Sequence, residues 1–278
     1  YATSRQILVA GLVFPILGIV AVLLRFYVRL SRKQVIGLDD WLIIPALVFV
    51  TGTGACLIAG VKAHAIGYPT PKPKGASPQE RLTSVNPQIQ IVHQVEFVIT
   101  ILLILTYGFI KLSILYFYRH LLVHTNKVFS YLAWCLMGIV AIWMLVFPFV
   151  IAFNCGTQFH YMWGSTQDLI AHCGNGIKKQ EALYVSEFVT NVLLVILPIP
   201  TIWRLQMQWQ KKLAVTGILL LRFMAFIASI LRLVIVLQVT ASSYQAVIYV
   251  DLTISTIFYW GMIEAGLAFI FIYLFISI

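Results

Sequence analysis

The chain has 278 residues, of which 61% are hydrophobic and only 10% charged, against about 25% charged in an ordinary soluble domain. That composition, with a mean hydropathy of +0.94, excludes a soluble globular protein and leaves a polytopic membrane protein. The net charge of +10 does not point to nucleic acid, because Lys and Arg sit mostly beside apolar runs, where they anchor helices, and no basic cluster carries interleaved aromatics.

Seven apolar runs can each cross roughly 30 Å of hydrocarbon at about 1.5 Å per residue. They cover about residues 6–28, 40–61, 92–118, 128–153, 181–204, 213–238 and 248–277. The expected architecture is an all-α, seven-transmembrane-helix bundle forming a single domain over residues 1–278. The first run is long enough to remain a span and is not read as a cleavable signal. Between spans one and two, RLSRKQVIGLDDW places Asp39 and Asp40 where they can cap the second helix and face Arg25 or Arg29. The next connection, 62–90, carries Pro69, Pro71, Pro73, Pro78 and Pro87 and is expected to be irregular.

Span three, within HQVEFVITILLILTYGFIKLSILYFYRH, differs from the others. His93, Glu96, Thr100, Leu103, Tyr107 and Lys111 follow at steps of three or four, so their polar groups share one helical stripe. An ionisable side chain at membrane depth is costly unless it faces protein or water. This helix is therefore expected at the centre, its stripe turned toward other helices. After span four, Cys155 and Cys173 bracket a polar, aromatic loop and are read as a disulfide, which requires an oxidising compartment. Cys56 and Cys135 lie within apolar runs and are read as buried thiols. Pro198 and Pro200 are expected to kink or end span five.

Orientation follows from the basic residues. The first, third and fifth connections with their flanks hold ten Lys and Arg, the opposite side seven. With the disulfide loop, that bias places the N-terminus outside or in the lumen and the C-terminus in the cytoplasm.

Counting along the helices puts Glu96, Glu187, Arg232 and Asp251 at similar height in the outer half, with Tyr184 and Asn191 on the face of Glu187. Arg222 and Glu264 come out together in the inner half and are read as a structural ion pair between helices six and seven. In the outer layer three carboxylates face one arginine, so at least one acid is expected unpaired. An unpaired acid in a low-dielectric site stays protonated near neutral pH, the state a general acid needs. His93, Thr100, Tyr107, Tyr184, Asn191, Phe258 and Trp260 are the candidate substrate-contacting side chains, and ring faces can stabilise a developing carbocation. The same layer also reads as a hydrogen-bonded polar core that holds the bundle together. No metal site is expected: beyond the single helical step from His93 to Glu96, the outer histidines His64, His160 and His172 show no ligand spacing.

By the fifth and sixth spans a resemblance emerges. LPIPTIWRLQMQWQKK, ASILRL, and DLT followed by the W-x-x-x-E of Trp260 and Glu264 resemble the fungal rhodopsin-domain family, as do RFYVRL, GLDDWLI, KLSILYFYRH and the C…W…C loop. The resemblance covers nearly the whole chain and implies a seven-helix membrane protein. Members include receptor-like proteins and proteins of secondary-metabolite clusters such as the satratoxin cluster. The Cys-Pro pair often found near the end of helix seven is replaced by FIFIYLFISI, and the Gly-rich stretch after helix two is only partly matched by AIGYP. A retinal pigment is not implied, because a Schiff base needs an embedded lysine, helix seven has none, and Lys111 lies toward the cytoplasmic end of helix three.

Two functional readings stay open. The first is an intramembrane, non-redox, cofactor-free enzyme, since no nucleotide-binding glycine loop, haem Cys motif or Ser-His-Asp pattern is visible. It would perform acid-initiated cyclisation or isomerisation of a lipophilic secondary metabolite, such as a terpenoid or polyketide, in an endomembrane such as the endoplasmic reticulum. Glu96 or Asp251 would donate the proton, Arg232 would tune the acids, and Glu187 with Asn191 would orient substrate or accept the final proton. The second is a G-protein-coupled-receptor-like sensor in the plasma membrane, binding a small or hydrophobic ligand outside and a cytoplasmic effector inside. Both imply a lipophilic small molecule and the bilayer as partners.

Overall fold

The computed structural model describes residues 2–33, 37–68, 87–122, 127–164, 172–173, 176–199, 223–238 and 250–274. Within them run seven long helices: α1 Ser4–Ser31, α2 Leu38–Lys62, α3 Pro87–Leu122, α4 Lys127–Ala152, α5 Gly176–Ile196, α6 Phe223–Gln238 and α7 Val250–Leu274. A short 3-10 helix, Phe159–Trp163, follows α4, and no strand occurs among the described residues. The prolines from Pro71 to Pro78, Pro69, Pro200, Arg222 and the basic fifth connection lie outside the described residues, as does the side chain of Asp251.

Local chemistry sets the helix ends. Thr3 opens α1 through a reciprocal cap: its hydroxyl accepts from the Gln6 amide (3.4 Å) while the Gln6 side chain accepts from the Thr3 amide (2.9 Å). Pro87 stands at the first position of α3, where its missing N–H costs nothing. α5 stops at Ile196, two residues before Pro198, because a residue preceding proline is driven out of the helical region.

Among the described residues five helices are long and apolar enough to cross a membrane: α1, α2, α3, α4 and α7. α5 carries Lys178, Lys179, Glu181, Glu187 and Asn191 and is more polar, so its stability depends on turning that polarity toward neighbours. The outward faces of α1 and α4, with Leu12, Ile16, Leu23, Ile139, Ile142 and Phe149 exposed, are the surface a bilayer would cover. The protein is an integral membrane helical bundle.

The expected centrality of span three holds. Of its membrane-length window 67% is buried, as for α7, against 22% for α4. α3 has 36 residues, about 54 Å at ~1.5 Å per residue, so it exceeds the hydrocarbon layer. Small residues let its neighbours close around it. A side chain at Gly54 would strike the Gly11 carbonyl at 2.5 Å and Pro15 at 2.7 Å, and one at Gly266 would strike the Phe14 ring at 2.0 Å. α1 thus packs backbone-close on α2 and α7, as membrane helices do where apolar surface alone gives no attraction.

Each end of the bundle is fastened differently. At one end Arg25 bonds Asp39 and, through Nε, Asp40 (2.5 Å), while Arg29 bonds the same two carboxylates at 2.8 Å each. Asp40 also accepts from the Gly37 amide (2.9 Å), capping α2, and the Ser113 hydroxyl of α3 donates to the Asp39 carbonyl (2.8 Å). At the other end Cys155 and Cys173 form a disulfide, and the 3-10 helix beneath it presses Trp163 edge-on against Phe97 of α3 (5.5 Å). There too the α2–α3 connection begins with Gly67 at φ +77°, its amide donating to Ser255 of α7 at 2.9 Å. A side chain at that position would meet Ser4 of α1 at 2.8 Å, so both the conformation and the space select glycine.

The two remaining cysteines depart from expectation. Cys135 is exposed on α4 and Cys56 is half-buried. An apolar run in a membrane protein has an outer face as apolar as its inner one, so hydrophobicity alone does not report burial against protein.

Two substitutions test the fastenings. Cys155→Ser should lower stability by roughly 3 kcal/mol in the chain-entropy view of a loop of this length, read as a lower melting temperature in detergent. Asp40→Ala should cost about 3–5 kcal/mol, because it strands buried guanidinium groups.

Candidate functional site

Four helices each bring a polar pair one turn apart to the same place. α3 brings Tyr107 and Lys111, α5 brings Glu187 with Thr190 and Asn191, α6 brings Ser229 and Arg232, and α7 brings Gly261 and Glu264. The i to i+3 or i+4 spacing puts each pair on one face.

Arg232 is the hub. Its Nη2 lies 2.5 Å from Glu187 and 2.9 Å from Glu264. Its Nη1 donates to the Tyr107 hydroxyl at 2.8 Å, and that hydroxyl donates onward to the Gly261 carbonyl at 2.8 Å. The guanidinium carbon stands 5.0 Å from the Tyr107 ring centroid and 5.1 Å from that of Tyr184, so ring faces meet the cation. Asn191 donates to Glu264 (2.8 Å) and to Ser229 (3.1 Å). Beside them the Lys111 ammonium donates to the Thr190 hydroxyl (2.7 Å) and the Glu187 carbonyl (3.4 Å), and lies 5.0 Å from the Trp143 ring centroid. All of these polar side chains are buried.

Electrostatics explains the assembly. A charge buried alone in hydrocarbon is costly, and a pair is tolerable only with good geometry and further hydrogen bonds. Among the described residues this cluster holds two cations, Arg232 and Lys111, and two acids, Glu187 and Glu264. Lys111, read from the sequence as lying nearer the cytoplasmic end, supplies the second positive charge; the expected excess of acid counted Asp251, whose side chain lies outside the described residues. Within the cluster the buried atoms Glu187 Oε1 and Arg232 Nε have no hydrogen-bond partner.

Other expected residues fall around this hub. Glu96 is half-buried and accepts from Gln180 at 3.4 Å, and Gln180 lies one turn before Tyr184 on α5. Tyr184 thus stands between Glu96 and the Arg232 group. Thr100 turns its hydroxyl to the carbonyl of Glu96 in its own helix (2.7 Å). Half-buried His93 keeps Nε2 without a hydrogen-bond partner. Phe258 is buried in the main core, and Trp260 is half-buried with its ring edge-on to Tyr259 (5.8 Å). His160 and His172 flank the Tyr161 ring at 3.8 and 4.1 Å, and His64 packs on Tyr68.

The two-layer picture needs correction. Glu264 does not stand in a separate layer from Arg232 but is bonded to it and to Asn191; its expected partner, Arg222, lies outside the described residues. Counted from the expected inner ends of spans six and seven, the two positions differ by about 9 Å at ~1.5 Å per residue, a gap that an extended arginine and a glutamate close together.

Sequence reasoning placed Lys111 on the polar stripe of α3 but not in the site, and did not select Thr190, Ser229, Gln180 or Gly261. For three of these a signal was present: Thr190, Ser229 and Gly261 each lie one turn from an expected charged residue. Gly261 matters through what it lacks, since a Cβ there would sit 3.1 Å from the Tyr107 oxygen and 3.2 Å from Arg232 Nη1.

Comparison with known proteins gives a family and one curated relative. The family described as fungal rhodopsin domain matches residues 24–274. A protein of Metarhizium anisopliae named polyenoic acids biosynthesis gene cluster protein Ba17b is 29% identical over 206 residues. The match covers 69% of this chain and 50% of that protein, so the chain spans about half the length of this relative. No solved structure matches.

Gly261→Ala should crowd Tyr107 and Arg232 and lower stability by about 1–3 kcal/mol, as overpacking does. Tyr107→Phe should cost about 1–3 kcal/mol through the partners it strands. Because removing the hydroxyl also relieves the crowding, the double variant should lose less than the sum, which thermal unfolding of all three variants measures.

Proposed function

The chain belongs to the fungal rhodopsin domain family, and we propose that it acts in secondary metabolism as a membrane-embedded acid–base catalyst. The reaction is a mass-neutral cyclisation or isomerisation of an unsaturated lipophilic metabolite of polyketide or terpenoid type. The relative's name, which places that protein in a polyenoic acid biosynthesis cluster, supports this substrate class.

One observation carries the reading: Glu187 has one carboxylate oxygen held by Arg232 and the other buried without a hydrogen-bond partner. The arginine holds the carboxylate in place, and the second oxygen is left to take a proton. Glu96, held by the neutral donor Gln180, supplies the complementary acid. In the step proposed, Glu96 protonates a carbon–carbon double bond and a carbocation forms. The cation rearranges against the ring faces of Tyr184 and Tyr107, then loses a neighbouring proton to Glu187. Return of that proton to Glu96 restores the protein, with no change in substrate mass. Arg232 holds Glu187 in place, and Asn191 holds Glu264 against the same guanidinium. We place the protein in an endomembrane, with the disulfide end lumenal.

The test uses membranes from an expressing host incubated with unsaturated lipophilic precursors, with isomeric products read by chromatography and mass spectrometry. Glu187→Gln and Glu96→Gln should each cut product formation by about 10²–10⁴-fold, with melting temperatures measured in parallel to show folded protein. Wild-type rates in both variants would reduce the cluster to a structural core. Saturable ligand binding with no turnover by the wild type would favour the receptor reading.

A further inference from the structure

Near the Asp39–Asp40 end the bundle carries a cation that pairs with no acid among the described residues. Arg119 lies one turn before the end of α3, half-buried. Its guanidinium carbon is 4.5 Å from the Trp134 ring centroid of α4 and 5.5 Å from that of Tyr116. Its Nη1 is buried and has no hydrogen-bond partner. The chain has nine Asp and Glu in all. Seven belong to the α2–α3 and α4–α5 connections or to positions in α3, α5 and α7 away from this end. The other two, Asp39 and Asp40, are taken by Arg25 and Arg29.

The level of Arg119 in the membrane is marked independently. Helix ends on this side present Tyr27, Trp41, Tyr131 and Trp134 to the exterior, the aromatic girdle that membrane proteins place among lipid headgroups. Beyond Trp134, toward mid-membrane, α4 exposes Ile139 and Ile142, apolar surface against which acyl chains can lie. A guanidinium fork held flat by rings matches phosphate oxygens in pairs.

We propose that Arg119, Tyr116 and Trp134 form a binding site for the phosphate of an anionic membrane phospholipid, its acyl chains lying along the outer face of α4. The lipid supplies the negative charge that Arg119 does not meet among the described residues. The site is separate from the Arg232 cluster and does not depend on the reaction proposed there.

The full chain, purified in detergent and stripped of lipid, is titrated with dioleoylphosphatidylglycerol, dioleoylphosphatidylcholine or inorganic phosphate while its melting temperature is followed. Phosphatidylglycerol should raise the melting temperature by about 2–4 °C, with little effect of the other two. Arg119→Gln should abolish that rise. An equal rise in Arg119→Gln, or an equal rise with phosphatidylcholine, would overturn the site. A rise of the same size with inorganic phosphate would overturn the assignment to a lipid. Should Arg119→Gln not fold, Trp134→Leu should raise the phosphatidylglycerol concentration needed by about tenfold. Native mass spectrometry of the wild type should also show phosphatidylglycerol retained in preference to phosphatidylcholine, and equal retention would overturn the proposal.

Discussion

A guanidinium buried among apolar helices is the constraint from which the arrangement of α3, α5, α6 and α7 follows. Arg232 cannot face lipid without a large desolvation cost, and a single carboxylate leaves most of its donors unmet. It is met by Glu187, Glu264 and the Tyr107 hydroxyl, with two ring faces around it. Each partner comes from a different helix, α5, α7 and α3. Satisfying one side chain therefore fixes how four helices stand about a common axis. Gly261 allows it, because α7 can approach Tyr107 and Arg232 only where no Cβ intervenes.

α3 takes part at every level. Near one end Ser113 ties it to the capped start of α2. At mid-height Tyr107 and Lys111 enter the charge cluster, and toward the other end Phe97 receives Trp163 from beneath the disulfide. A helix with a polar stripe can be held this way only if other helices shield it from lipid. That accounts for its deep burial and for the apolar outer faces of α1 and α4, which do the shielding.

Burial of charge is poor evidence for stability, since well-packed apolar residues of similar volume often serve as well. Within this cluster one carboxylate oxygen of Glu187 has no hydrogen-bond partner. Gln180, which donates to Glu96, and Tyr184, whose ring faces Arg232, stand one turn apart on α5 between an acid near the disulfide end and that oxygen's neighbourhood. Membership of the fungal rhodopsin domain family sets the scaffold, and the chemistry has to be argued from such a site.

Much of the architecture was legible in the residues themselves. Composition and apolar runs determine a helical membrane protein, because nothing else satisfies backbone groups in hydrocarbon over such lengths. The stripe on α3 predicts its central place, Cys155 and Cys173 their bridge, and Asp39 and Asp40 their cap and arginine partners. The periodicity that reveals a helix face does not reveal which helix the face meets. Helical rise gives a height for each Cα but not for the tip of a long side chain. For that reason the meeting of Arg232 with Glu264, the entry of Lys111 beside Glu187, and the closeness that Gly261 permits were decided only by tertiary structure. The outward face of Cys135 was too, since in a bilayer both the buried and the exposed side of a helix are apolar.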